Sequence, residues 1–204
     1  MTQIQPSHLG LMVLAAGAST RMKTPKQLLP IGERSLLRHT VEIAIASQCS
    51  SIAVILGAYA EPIRLEIKNL PVQIVENLAW QKGMGTSIRA GITSLLTIEP
   101  ALKAVIVLLC DQPFISVSLI DQLITVYQST PCSIVASAYA QVLGVPALFR
   151  DQHFPELLKL DSNAGAKQLI QRHLDQVHSV PFPAGAIDLD TPQEYQAFLR
   201  DRAE

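Results

Sequence analysis

The chain is poor in several residue classes, and each shortage removes a class of function. Only three of its 204 residues are cysteines, Cys49, Cys110 and Cys132. An odd, widely spaced set argues against a disulfide framework, so reduced thiols and a cytoplasmic setting are expected. No Cys/His pair has zinc spacing. Cys110 stands beside Asp111, but a small apolar residue closing a core strand explains it better than a nucleophile does. Aromatics make up 5%, with one tryptophan, Trp80. Stacking platforms for bases are therefore scarce, and recognition through backbone and hydroxyl groups is more economical. Net charge is −1 and no long basic run occurs, which argues against nucleic acid as a partner. No apolar run approaches the ~20 residues of a membrane span. Residues 1–8 lack the apolar segment of a signal peptide. No membrane association is expected.

What is present is a core-forming composition, 49% hydrophobic and 16% charged. It suits one packed domain over residues 1–204. Apolar runs and helical spacing alternate. Strands are predicted at residues 8–14, 51–56, 72–75 and 104–109. Helices are predicted at 36–47, 61–69, 84–96 and 118–127, each with apolar residues on one face. This order describes βαβ units and a largely parallel sheet with helices on both faces. The later half is less regular. It reads as strands at 133–138 and 145–149 in an antiparallel section, helices at 152–160 and 165–173, a strand at 177–180 and a last helix at 192–202. No repeat or linker is visible.

The first predicted strand runs into Leu14-Ala15-Ala16-Gly17-Ala18-Ser19-Thr20-Arg21-Met22, with Lys26 four residues later. Small residues let backbone N–H groups approach a ligand, and Gly17 can take a positive φ. Successive N–H groups in such a turn make an anion site. Arg21 and Lys26 add a planar fork and a mobile point charge. The spacing is neither that of the P-loop nor that of the dinucleotide fingerprint. A dehydrogenase is disfavoured, because no Gly-x-Gly-x-x-Gly follows the first strand.

Ligands of open parallel sheets bind beyond the carboxyl ends of the strands. Asp111 lies there, after the 104–109 strand. It is either a Mg²⁺ ligand beside a phosphate pocket or the start of a turn before Pro113. Asp188 and Asp190 share one side if extended. With no visible cation engaging them, they could share a metal with Asp111. Thr191 with Glu194 reads as a capping box, and Pro192 suits the first helical position. Gly83, Gly85, Thr86 and Ser87, downstream of Asn77, are small and polar at a helix start. They either read a base edge or cap the helix through Thr86. Trp80 reads as packing. Lys167 meets an anionic acceptor or is a solvated surface lysine. The five histidines, His8, His39, His153, His173 and His178, show no pairing pattern.

These residues carry a resemblance. Leu14-Ala15-Ala16-Gly17, Arg21-Met22, Lys26-Gln27-Leu28-Leu29-Pro30, Asp111-Gln112-Pro113 and Asp190-Thr191-Pro192 resemble the motifs of MobA-like nucleotidyltransferases. Residues 77–91 and 144–149 add a likeness to the molybdenum cofactor cytidylyltransferases within that group. Matches run from about residue 9 to 195. The resemblance implies a three-layer α/β/α nucleotidyltransferase fold, Rossmann-like, with a mixed, mostly parallel sheet. It implies that Gly17, Arg21 and Lys26 hold a triphosphate, and that Leu14, Ala15, Ala16, Asn77, Gly83 and Ser87 receive the nucleotide. It implies Asp111 with Asp190 as ligands of Mg²⁺, or of Mn²⁺. Members with Leu-Ala-Ala-Gly tend to use CTP and guanylyltransferase relatives carry Leu-Ala-Gly-Gly, so Ala16 points to cytidine. Three features depart from the family pattern. Lys23 stands where glycine is usual, Ser162-Asn163 replace Gly-Asp, and Val145 replaces a histidine before Pro146.

The expected activity is transfer of CMP from CTP to a phosphorylated acceptor, molybdopterin or its molybdenum-loaded form, with pyrophosphate release. Arg21, Lys26 and Asp111 would carry the catalysis. The alternatives are a methylerythritol or sugar phosphate as acceptor, and a low-turnover nucleotide-binding chaperone of an apo-molybdoenzyme.

Overall fold

The computed structural model describes residues 8–201. The polar N-terminal stretch, residues 1–7, and the end of the expected last helix at Arg202 lie outside them. Nine strands form: β1 (Leu9–Ala15), β2 (Pro30–Ile31), β3 (Arg34–Ser35), β4 (Ser51–Leu56), β5 (Gln73–Glu76), β6 (Ala104–Leu109), β7 (Ile134–Tyr139), β8 (Val142–Arg150) and β9 (Val177–Pro181). The α-helices are α1 (Leu36–Ala46), α2 (Ala60–Ile67), α3 (Met84–Ile98), α4 (Val117–Ser129), α5 (Phe154–Leu158), α6 (Ala166–Arg172) and α7 (Pro192–Asp201).

Seven strands make one sheet in the order β5-β4-β1-β6-β8-β7-β9, and β2 pairs with β3 apart from it. β1 is parallel to β4 and β6, and β4 to β5. β8 is antiparallel to both β6 and β7. β9 returns parallel to β7. The sheet is thus mixed and mostly parallel.

Alternation along β1 explains the layers. Leu9, Leu11, Val13 and Ala15 join one buried cluster with residues of α1, α2 and α4. Met12 and Leu14 join another with residues of α3, α5 and α6. A strand buried on both faces reads as a continuous apolar run, as Leu9–Ala15 does. The arrangement is an α/β/α stack of Rossmann-like type.

β1 is flanked by β4 on one side and β6 on the other, so the strand order switches direction there. Crevices form beyond the carboxyl ends at such a point. A third, small cluster of Ile31, Leu36, Leu189 and Phe198 lies among β2, α1 and α7. Tyr195 donates to the Pro30 carbonyl at 2.7 Å, and Leu189 N donates to the Asp111 carbonyl at 2.9 Å. These contacts bring the segment before α7 back to the end of β6.

Candidate active site

The loop after β1 is shaped by a side chain rather than by its glycine. Gln27 is fully buried, and its Nε2 donates to the carbonyls of Ala15 and Gly17, each at 2.9 Å. Ser19 Oγ donates to Gln27 Oε1 at 3.3 Å and accepts from Lys26 N at 3.0 Å. Gly17 is free to take a positive φ but does not. In this loop positive φ falls instead at Ser19 (53°) and Lys23 (61°). A Cβ at Gly17 would meet open space, so the glycine keeps that side of the loop clear.

Lys26 is delivered at the mouth of the loop, on the turn Lys26–Leu28. Its Nζ donates to Asp111 Oδ2 at 2.5 Å and to Asp190 Oδ1 at 2.7 Å. Arg21 Nη2 donates to Asp190 Oδ2 at 2.6 Å. Burial opposes the ammonium form of Lys26, but the Asp111 charge and the bonds to both carboxylates outweigh it and hold its pKa above the usual lysine value. Asp190 titrates low. Burial would raise it, but its bond to Lys26 and the charges of Lys26 and Arg21 win. The expectation that Asp190 meets no cation is therefore corrected. Lys26 and Arg21 come from 164 and 169 residues away.

Asp111 Oδ1 is buried without a hydrogen-bond partner, although Oδ2 is engaged. Asp188 as a residue is exposed, yet its carboxyl titrates high, at about 6, through local desolvation and the like charges of Asp111 and Asp190. The neighbouring carboxylates are the cause that the exposed position supports. Three acids thus converge where excess negative charge calls for a cation. Asp111 and Asp190 both reach one ammonium, so one ion can meet both. The donor set is hard oxygen, which suits Mg²⁺ or Mn²⁺.

A cleft of about 260 Å³ opens beside this charge cluster. It is lined by Leu14, Ala15, Ala16, Gly17, Lys26 and Asp111, and by Gln27, Trp80, Gly83, Met84, Ser87, Leu109 and Cys110. Most of the expected nucleotide residues therefore line one cleft. Arg21, bonded to Asp190, is not among them, nor is Asn77. Its Nδ2 donates to Thr86 Oγ1 (2.7 Å) and Ser87 Oγ (3.0 Å), and its Oδ1 accepts from Ala79 N. It is buried and braces Ser87 from behind. Thr86, open to a base-edge or a capping role, shows neither: its one hydroxyl proton is shared between the Gly83 carbonyl (2.8 Å) and the Ala79 carbonyl (3.1 Å). Trp80 packs against the apolar cluster beneath α3, as its sequence position suggests, and also forms part of the cleft wall. Burial, with the Asp111 charge, pushes the Cys110 thiol up to about 12, so it stays protonated and is no nucleophile.

Glycine at two positions is a matter of space. A Cβ at Gly83, where φ is 118°, would stand 2.4 Å from the Ser162 carbonyl, and one at Gly85 would stand 2.0 Å from that of Asp161. The loop before α6 lies directly on the start of α3. Beyond it, a second, apolar cavity of about 160 Å³ shares Leu14, Met84 and Leu109 with the first and is lined by Tyr139, Gly144, Val145 and Lys167. Gln112 Nε2 ties this region together by donating to the Val145 and Gly185 carbonyls. Gln27 was missed as a shaping residue. Its signal was its place beside Lys26.

Comparisons with known proteins show the family and the fold. The MobA-like NTP transferase domain family matches residues 11–177. Nicotine blue oxidoreductase of Paenarthrobacter nicotinovorans is 33% identical over 143 residues, 70% of this chain and 67% of that protein. The crystal structure of a homologue of Mycobacterium tuberculosis Rv0371c from Mycobacterium sp. strain JC1 aligns with a TM-score of 0.82 and 28% identity, over 98% of this chain and 100% of that one. Rv0371c from M. tuberculosis H37Rv, in complex with manganese, aligns with a TM-score of 0.76 and 26% identity, over 94% and 98% of the two chains. Among the described residues, no helix is long and apolar enough to cross a membrane.

Proposed function

The chain belongs to the MobA-like NTP transferase family, and from that premise we propose that it moves CMP from CTP onto a phosphorylated acceptor, molybdopterin or its metal-loaded form, and releases pyrophosphate. The observation that carries this reading is the meeting of Lys26, Asp111 and Asp190 at the mouth of the β1 loop. The cleft beside them would take the nucleotide, and the contiguous cavity at Tyr139, Val145 and Lys167 the acceptor. The setting in this reading is the cytoplasm.

An acceptor phosphate oxygen attacks the α-phosphorus in line, the α–β bridging bond breaks, and pyrophosphate leaves with that electron pair. The nucleophile is already anionic, so no general base is needed. Catalysis is then positioning and charge neutralisation. Backbone N–H groups of Ala15 to Gly17 cradle the phosphates, in the shape that Gln27 holds. Lys26 turns from its carboxylate partners to the triphosphate and, with Arg21, offsets charge on the leaving group. Asp111 and Asp190, freed by that turn, would hold Mg²⁺ or Mn²⁺, which would supply charge neutralisation on the phosphates. Ala16, which lines the cleft with Trp80, would by its methyl group narrow the space beside the base and favour the smaller one.

The test is to incubate the protein with CTP, GTP or ATP, Mg²⁺ and molybdopterin and to measure pyrophosphate. CTP should support release, and Asp111→Asn should lower it by 10²-fold or more, roughly the effect of removing one preorganised electrostatic contact. Full turnover by Asp111→Asn, or no release with any nucleotide, would overturn the reading. Competition with methylerythritol or sugar phosphates identifies the acceptor. Nucleotide binding without release, with a stable apo-molybdoenzyme complex, identifies a chaperone instead.

One observation favours a second reading, the 33% identity to a protein named as an oxidoreductase. In it the cleft holds a redox dinucleotide. Oxidation of NADH or NADPH without pyrophosphate release would establish it.

A further inference from the structure

His153, Glu156 and His173 form a cluster that lines neither the nucleotide cleft nor the acceptor cavity. His153 ends the turn Asp151–His153 ahead of α5, Glu156 lies in α5, and His173 follows α6. One ligating atom from each lies within 4.8 Å of the others. Glu156 Oε1 stands 3.6 Å from His153 Nδ1 and 2.8 Å from His173 Nε2.

The hydrogen bonds behind the cluster fix the chemistry of His153. Ser133 Oγ donates its one proton to Gln176 Oε1 at 2.8 Å. It can therefore only accept from His153 Nε2, also at 2.8 Å. The ring thus carries its proton on Nε2 and a bare lone pair on Nδ1. That Nδ1 has no hydrogen-bond partner, in a residue 2% exposed. A buried acceptor aimed at a carboxylate and a second imidazole is an unfavourable arrangement unless something electron-poor lies between them. An imidazole whose far N–H is held by a second group is the usual state of a metal-ligating histidine.

From this we propose a second metal site, in which His153 Nδ1, Glu156 and His173 Nε2 bind a late first-row divalent cation of the zinc class. Two imidazoles and one carboxylate match that class rather than Mg²⁺. Bonds of about 2.0–2.1 Å in tetrahedral geometry set ligand atoms about 3.3 Å apart. The His153–Glu156 separation is near this value, Glu156, which is partly exposed, opens from His173 by about 0.5 Å to reach it, and the two imidazole nitrogens, which lie within 4.8 Å, close on the ion. The proton on His173 Nε2 moves to Nδ1, at the loss of only a 3.5 Å contact with Gln176. Glu156 and His173 are both partly exposed, so solvent can supply the remaining coordination position. The ion would clip the end of α6 to α5, while the first turn of α6 lines the acceptor cavity.

The test is calorimetric titration of the chelator-treated protein with zinc, together with thermal unfolding. Wild type should bind one equivalent that raises the melting temperature. His173→Ala and Glu156→Gln should bind it at least 100-fold more weakly and lose that rise, yet keep CTP binding. Asp111→Asn should retain the equivalent. Absence of tight zinc binding by the wild type, equal binding by the His173 and Glu156 variants, or loss of the equivalent in Asp111→Asn would each overturn the proposal. Failure of this site leaves the nucleotidyl transfer reading standing, because that reading is tested by pyrophosphate release.

Discussion

Lys26→Met tests the arrangement of one ammonium shared by two carboxylates. In the nucleotide-free protein the Lys26 side chain is 14% exposed and bonds Asp111 at 2.5 Å and Asp190 at 2.7 Å. A hydrogen bond to a charged group contributes about 1.5–3 kcal/mol. A divalent cation that enters alone must displace both bonds, and the released ammonium recovers part of that loss from water. Taking the net as one bond, the substitution should tighten nucleotide-free Mn²⁺ binding by roughly 10–100-fold. On the proposed reading the same change removes a cation from the triphosphate, and it should weaken metal-free CTP binding by a similar factor. The two effects have opposite signs, which a general loosening of the site would not produce. Removing the ammonium also leaves Asp111 and Asp190 facing each other. A fully buried pair loses about 3–5 kcal/mol when broken. These carboxylates are partly solvated, so about 2 kcal/mol of stability should go, and saturating Mn²⁺ should restore it. Mn²⁺ titration with and without CTP, and urea unfolding with and without Mn²⁺, read all three quantities. Mn²⁺ binding no tighter than wild type without nucleotide, or unchanged CTP affinity, would refute the reasoning.

Gln27→Ala should destabilise the protein by about 2–4 kcal/mol, because two loop carbonyls lose their donor and a buried cavity opens. Pyrophosphate release should fall with it, and Gln27→Glu should not rescue, since a carboxylate cannot donate. Lys23→Gly should stabilise by about 0.5–1 kcal/mol in urea unfolding, because the left-handed backbone at Lys23 disfavours any side chain; a loss of stability would contradict this. Burial pushes the Cys49 thiol up to about 11. The reactive thiolate is therefore scarce at neutral pH, and labelling by a thiol reagent should rise about tenfold per pH unit up to that value. Fast labelling of Cys49 at neutral pH would contradict the burial argument.

The three central parallel strands were legible because burial on both faces leaves unbroken apolar runs, as at Leu9–Ala15, Ser51–Leu56 and Ala104–Leu109. Other elements hid for identifiable reasons. The β2–β3 hairpin has two residues per strand, too few for any periodicity. β8 was read as residues 145–149 with Gly144 as a turn, yet it runs from Val142 to Arg150. The register of β7 shifts between Ala136 and Ser137, and Ser137 Oγ donates to the Pro146 carbonyl at 2.7 Å. A proline inside a strand is accommodated by such an irregularity, which no local pattern announces.

The candidate site divides in the same way. Which residues lie at the carboxyl ends of the strands follows from local order, so Gly17, Lys26 and Asp111 could be read. Which charge meets which does not follow, because opposite signs far apart in sequence carry no mark of their pairing. The Lys26–Asp190 bond is of this kind, and the approach of the His153 and His173 rings from two different turns is no better marked. Lys23 combines both cases. It departs from the family pattern in sequence, and the departure acquires a physical meaning only from the backbone. Residue 23 sits at φ 61°, with its N–H and that of Met22 both donating to the Ser19 carbonyl. A glycine there in the resembled family therefore answers a conformational demand of the loop rather than a need for room at the phosphates. An exposed lysine in the same conformation leaves the loop path unchanged, so the substitution bears on stability and local charge before it bears on the nucleotide.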